Sequence, residues 1–114
     1  MAKQADIMEP QPVPQMAKAP RHINCHHMGG DPCATPDEQV LHISTKDQAE
    51  WGSSEGRRFT IDFKSRSPFA KSLFQVPVVG TVPSGPITGG PGTYKYSLVN
   101  DQGKVKDPTI IIQA

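Results

Sequence analysis

The sequence predicts an all-β protein, a small antiparallel Greek-key β-sandwich preceded by an extended, proline-rich N-terminal arm. Three observations lead to this class. Short segments with alternating apolar and polar residues recur after residue 37, turns rich in glycine, proline and serine separate them, and no segment has a helical period. A length of 114 residues fits one such domain. We therefore divide the chain into an arm, residues 1–36, and a sandwich, residues 37–114.

The arm is distinguished by its composition. It carries half of the chain's 12 prolines, has no aromatic residue and has few branched aliphatic residues. The run "EPQPVPQMAKAP" favours polyproline II geometry over helix or strand. Such a segment buries too little apolar surface to offset the entropy lost on ordering. It is expected to be either a disordered tail or a tether that becomes ordered on the surface of a partner.

The sandwich strands are predicted from alternation. In residues 57–64, Phe59, Ile61 and Phe63 point one way and the polar residues between them point the other. Further strands are predicted at 38–44, where Leu41 and Ile43 share a face, and at 72–79, 93–99 and 108–114. Because aromatic side chains bury large areas, they are expected to supply much of the core. These are Trp51, Phe59, Phe63, Phe69, Phe74, Tyr94 and Tyr96.

The order of the motifs after residue 38 carries a resemblance. The motifs "FTIDF", "SPF", "FQVPVVGTVPSGPI", "GTYKYSLV" and "DPTIII" follow one another over about residues 38–114. This order resembles that of small bacterial cupredoxin-like domains, which implies a cupredoxin- or immunoglobulin-like sandwich. In copper-binding members a cysteine and a histidine follow the "YKY"-type strand, whereas this chain has "SLVNDQGKVKDPT" there. The resemblance therefore implies a scaffold without the blue-copper ligands.

The stretch "RHINCHHMGGDPCATP" contains both cysteines and three of the four histidines. Its cysteine spacing matches neither a c-type haem attachment nor a Cys-x-x-Cys redox pair. A zinc site would need four nitrogen or sulfur ligands, and a Cu(I) site could join Met28 with Met8 or Met16. A Cys25–Cys33 disulfide and a solvated loop with reduced thiols are the other interpretations. The candidate metal ligands are His22, Cys25, His26, His27 and Cys33.

Other functional signals are weak. A net charge of +1 gives no field that would attract nucleic acid or an anionic membrane. No apolar run is long enough for a membrane helix, and no phosphate-binding loop or G-x-S-x-G nucleophile motif is present. The basic residues of segment 57–71 could contact an acidic partner or phosphate. No secretory signal is visible, so the cytoplasm is expected, or the periplasm if the start is a processed N-terminus.

These observations predict a function without catalysis. The leading hypothesis is a non-enzymatic accessory subunit that docks on a larger protein complex, soluble or membrane-associated. The sandwich would form one contact and the arm would form a second, as an extended strap. The alternative is a metal-handling protein that binds zinc or copper through the Cys/His stretch.

Overall fold

The structure, a computed structural model, describes residues 18–114 and is all-β, as predicted. No helix occurs in this range, and so none that could cross a membrane. The first 17 residues of the predicted arm, with Met8 and Met16, lie outside the described residues. The strands are β1 (Arg21–Met28), β2 (Asp31–Thr35), β3 (Glu38–His42), β4 (Ala49–Ser53), β5 (Phe59–Asp62), β6 (Leu73–Val76), β7 (Thr81–Pro83), β8 (Gly92–Lys95), β9 (Ser97–Asn100), β10 (Val105–Lys106) and β11 (Thr109–Gln113).

The strands form a small β-sandwich built from three hydrogen-bonded sheets. Their strand orders are β2-β1-β4-β7, β10-β9-β5-β6 and β3-β11-β8. Most neighbours are antiparallel, as predicted, but β1 pairs with β4 and β3 pairs with β11 in parallel. In sequence order, two strands separate β1 from β4 and seven separate β3 from β11. The parallel pairs therefore connect segments that are not neighbours along the chain.

The division at residue 36 needs correction for residues 21–35. This segment is not part of an arm outside the sandwich, because it forms the hairpin β1–β2, and β1 is an inner strand of its sheet. The side chains of Ile23 and Cys25 are fully buried. Gly29 and Gly30 form the two-residue turn, with φ of 61° and 88°. Two positive φ values are what a type I′ hairpin turn requires, and glycine adopts them without strain.

The alternation predicted in residues 57–64 is confirmed. Phe59, Ile61 and Phe63 are buried, and β5 lies between β9 and β6. The predicted strand 93–99 is instead two strands, because the chain passes from the sheet of β8 to the sheet of β9 at Tyr96. Strand 38–44 ends at His42, and Ile43 is 38% exposed beyond it.

The core is centred on Trp51 of β4. Its indole packs against the rings of Phe63, Phe69, Phe74 and Tyr96, with ring centroids between 5.0 and 6.2 Å apart. Its Nε1–H donates a hydrogen bond to the Tyr96 hydroxyl at 3.2 Å. All seven aromatic residues predicted for the core are buried. These rings compensate for the small size of the domain, since each buries a large apolar area.

Candidate docking site at the Asp47 end of the sandwich

The structure separates the predicted metal ligands between two faces of the β1–β2 hairpin. Cys25 points into the core. His27, two residues further along β1, is on the same face and lies over the ring of Phe59, with centroids 5.2 Å apart. His26 and Cys33 are directly opposite each other in the pairing of β1 with β2, and they lie on the outer face. Within the described part of the chain, no three His, Cys, Asp or Glu side chains come together as a ligand set.

The three histidines also have different partners. His22 Nδ1 lies 2.8 Å from Glu50 Oε2, and His26 Nε2 lies 2.7 Å from the Thr35 hydroxyl. His27 Nδ1 lies 2.6 Å from Glu55 Oε1. The predicted five-residue site is therefore not assembled as one centre. Strand alternation explains this result, since neighbouring residues of a strand point to opposite faces.

The two cysteines differ in the same way. Burial raises the pKa of the Cys25 thiol to about 12, so this sulfur is neither a nucleophile nor a ready metal ligand. Cys33 is only partly buried, and both residues are free thiols. Because their side chains project from opposite faces of the hairpin, the structure does not bring them together as a disulfide.

The N-terminal end of β1 is held by a buried carboxylate that the sequence analysis did not single out. Asp47 lies in the turn between β3 and β4, and its side chain is 1% exposed. Its carboxylate forms an ion pair with Lys18 Nζ, and it accepts hydrogen bonds from the Thr45 hydroxyl and the His42 backbone N–H, both at 2.9 Å. The guanidinium of Arg21 lies 3.9 Å away.

These contacts keep the carboxylate ionised. Burial raises the pKa of Asp47, but the hydrogen bonds from Lys18, His42 and Thr45 more than offset it and hold the pKa far below its usual range. The Arg21 backbone N–H also donates to the Gln48 carbonyl at 2.8 Å. The chain that precedes β1 therefore meets the sandwich at a fixed point.

An open cleft of about 390 Å³ lies beside this anchor. Its apolar lining is Ile43, Pro86 and Ile87, and its polar lining is Lys46 and Gln48. Ile43 is 38% exposed although it is a branched aliphatic residue. The cleft thus combines an apolar floor with residues from the turn that holds Asp47.

Lys46 has an unusual backbone for a residue with a long side chain. Its φ is 57°, in the left-handed region, where a non-glycine residue costs of the order of 1 kcal/mol or more. Its N–H donates to the Ile43 carbonyl at 3.0 Å, and the next N–H donates to the His42 carbonyl at 3.1 Å. The turn keeps this conformation and places Lys46 in the lining of the cleft. The only sequence signal for this site was the polar turn "STKD".

A second polar cluster lies at the other end of β1. His27 lies between Glu55 and Asn100, whose Nδ2 is 3.2 Å from His27 Nε2. Next to it Arg57 forms a two-point ion pair with Asp101. The hydrogen bonds from His27 lower the pKa of Glu55, and those from Arg57 lower the pKa of Asp101. This cluster joins β1 to the β4–β5 and β9–β10 connections, so it has a structural role.

Much of the predicted basic segment 57–71 is also engaged within the sandwich. Arg66 donates to the Thr93 carbonyl and lies over the Tyr94 ring, 4.2 Å from its centroid. The Lys71 ammonium lies 5.5 Å from the centroid of Phe74. With Arg57 paired to Asp101, three cations of this segment have partners within the sandwich.

Comparison with known proteins returns no family assignment. No family model matches this chain, and no curated protein matches it.

Proposed function

We propose that this protein is a non-enzymatic accessory subunit that docks on a larger protein assembly. The end of the sandwich that carries Asp47 and the adjoining cleft would form one contact, and the segment before Lys18 would form the second. The resemblance to cupredoxin-like domains without copper ligands remains part of this proposal, as a scaffold for binding.

The observation that carries the proposal is the ion pair between Lys18 and the buried carboxylate of Asp47. It holds Lys18, where the described part of the chain begins, against this end of the sandwich. A tether that starts at a fixed point next to a binding cleft raises the effective concentration of its own contact once the cleft is occupied. Two weak contacts can then give useful affinity without a large interface.

The charges around the cleft indicate what the partner presents. Lys46 makes none of the ion pairs found among residues 18–114, and the side chains of Lys18 and Arg21 are 45% and 48% exposed. Ile43 and Ile87 contribute apolar surface to the lining of the cleft. We therefore propose that the cleft receives an apolar side chain from a partner segment with flanking Asp or Glu residues, because opposite charges favour encounter and orientation.

The non-enzymatic assignment is supported by the environments of two reactive groups, the Asp47 carboxylate and the Cys25 thiol. Asp47 is surrounded by hydrogen-bond donors, and the Cys25 thiol is buried with a raised pKa. A general base or a nucleophile needs a free lone pair within reach of a substrate. Asp47 uses its lone pairs in these internal hydrogen bonds, and burial keeps the Cys25 thiol out of a substrate's reach.

The proposal is tested by affinity purification of the tagged full chain from its native host. Ile43→Asp and a chain that begins at Lys18 should each retain much less of the proteins held by the unmodified chain. Leu73→Asp is the matched control, because Leu73 is a comparably exposed apolar residue on another sheet, 48% exposed against 38%. Equal recovery by Ile43→Asp and Leu73→Asp would refute a role for the cleft.

A further inference from the structure

The outer face of the β1–β2 hairpin carries three soft or borderline ligand types, which the strand register selects from the larger set of candidates in the sequence. His26 and Cys33 are directly opposite in the strand register, and Met28 follows two residues after His26 on the same face. Met28 is 67% exposed although it is apolar. The buried residues that alternate with them, Cys25 and Ala34, point the other way.

The twist of the hairpin brings Met28 towards Cys33. His26 reaches diagonally across the pair, because its Nε2 bonds to the Thr35 hydroxyl at 2.7 Å and not to its direct neighbour. Met28 and Cys33 are related in the strand pairing as His26 and Thr35 are, because in both cases the β2 residue lies two positions beyond the direct partner. The same twist therefore shortens the distance between Met28 and Cys33. Consistently, Met28 and Cys33 line one shallow cleft. Cys33 therefore lies between an imidazole directly opposite and a thioether on the favoured diagonal.

The hydrogen bond to Thr35 also determines which imidazole nitrogen is available. It occupies Nε2 of His26, and Nδ1 of this ring makes none of the hydrogen bonds found among the described residues. A hydroxyl that bonds the other nitrogen of a ligating imidazole holds that ring in one orientation. The Cys33 thiol makes only a weak contact with the Asp31 carbonyl, at 3.9 Å, so its sulfur is free to bind.

We propose that His26, Met28 and Cys33 form a binding site for a soft monovalent metal ion, Cu(I), on the outer face of the hairpin. The ligands would be His26 Nδ1, the Met28 thioether and the Cys33 thiolate, and binding would displace the thiol proton to solvent. Thiolate and thioether ligands select Cu(I). Zinc would need more nitrogen, oxygen or thiolate ligands than this face brings together.

This site is independent of the proposed docking function. It lies near the Met28 end of β1, whereas the Asp47 anchor lies near the Arg21 end, so either can fail without the other. Its position on a surface hairpin, open to a second protein, suits the capture and transfer of an ion more than its permanent burial.

The test is anaerobic titration of the reduced full chain with Cu(I) in competition with a colorimetric Cu(I) chelator. One equivalent should bind, and Cys33→Ser should abolish this binding. Met28→Leu keeps the volume but removes the thioether, and His26→Ala removes the imidazole, so each should weaken binding. Thr35→Val should weaken it about 10-fold to 100-fold, as losing the orienting partner of a metal ligand does.

Cys25→Ala is the matched control, because it removes the other cysteine from the inner face of the same strand. It should keep the affinity for Cu(I), and circular dichroism of each variant checks that the hairpin is folded. Loss of binding in folded Cys25→Ala, or full binding in Cys33→Ser, would overturn the proposal. An unchanged affinity in Met28→Leu would show that the thioether is not a ligand, and this result would refute the three-ligand site.

Discussion

The side-chain amide of Asn100 determines where the imidazole of His27 carries its proton. Asn100 Oδ1 accepts hydrogen bonds from the backbone N–H groups of Gln102 and Lys104, at 2.9 and 2.8 Å. Its Nδ2 therefore faces His27 Nε2, at 3.2 Å, as a donor. The ring nitrogen must accept, so the proton is assigned to Nδ1, which donates it to Glu55 at 2.6 Å; the contact of Nδ1 with Arg57 Nη1, at 3.4 Å, is the weaker one.

This relationship predicts the behaviour of Asn100→Asp. The new carboxylate would accept where the amide donates, so Nε2 of His27 should gain a proton while Nδ1 keeps its bond to Glu55. The measurement is the ¹⁵N chemical shift of the two ring nitrogens near neutral pH, with Asn100 as the reference. An Nε2 that is already protonated in the unmodified protein would contradict the assignment.

A second prediction concerns Asp47 and pH. Its folded-state pKa is lowered, so the carboxylate stabilises the folded state above the ordinary aspartate pKa of about 3.9. That stabilisation is lost as the pH falls through the acid range, beginning near pH 5. Asp47→Asn should lower the free energy of unfolding at neutral pH by about 1–3 kcal/mol, because it weakens several hydrogen bonds to a buried charge.

The measurement is urea denaturation of both proteins between pH 7 and pH 3. The difference between them should shrink as the pH decreases, because the native carboxylate loses its advantage. Thr45→Val is a control that removes one donor and keeps the charge, and its difference from the native protein should change less with pH. A difference for Asp47→Asn that is the same at every pH would contradict the role of the charge.

A third prediction concerns the hydrogen bond at the centre of the core. Tyr96→Phe removes the acceptor of Trp51 Nε1–H, and both residues are buried. A buried donor left without a partner costs about 1–3 kcal/mol, so the free energy of unfolding should decrease by that amount. Trp51→Phe should lower the free energy of unfolding by less in the Tyr96→Phe variant than in the native protein, because the indole N–H of that variant is already unpaired. Strictly additive effects in chemical denaturation would show that the bond contributes nothing.

A fourth prediction separates the two possible N-terminal boundaries. A chain that begins at Lys18 should fold, since it keeps β1 and the ion pair to Asp47. A chain that begins at Asp37 should not fold, because it lacks β1 and β2, including the fully buried Ile23 and Cys25. Circular dichroism and thermal melting of both truncations decide this. A cooperative melt for the shorter chain would restore the boundary at residue 36.

The sequence predicts the strands whose inward residues are large and apolar. Phe59, Ile61 and Phe63 alternate with polar residues, and that pattern identifies β5 without further information. In β1 the inward positions are Ile23, Cys25 and His27, so the apolar signal is weak. His27 is accommodated there only because Glu55 and Asn100 satisfy its ring nitrogens, and those residues are far away in the sequence.

A usable signal for the hairpin was nevertheless present. The pair Gly29–Gly30 between "RHINCHHM" and "DPCAT" is a typical two-residue hairpin turn. The Asp47 anchor had no comparable signal, because burial of a turn aspartate depends on Lys18 and His42 arriving from other elements. The sequence placed His26 and Cys33 in one larger set of candidate ligands, but separating them from Cys25 and His27 depends on strand pairing and facing, which spacing alone did not reveal.

The central claim, that the Asp47 end of the sandwich binds a partner protein, is tested most directly by site-specific photocrosslinking in the native host. A photoreactive amino acid would replace Lys46 at the rim of the cleft, with Leu73 as the matched exposed position elsewhere. The proposal predicts a discrete crosslinked product from position 46 and none from position 73, with the crosslinked partner peptide carrying acidic residues. No product from position 46, or the same products from both positions, would contradict it.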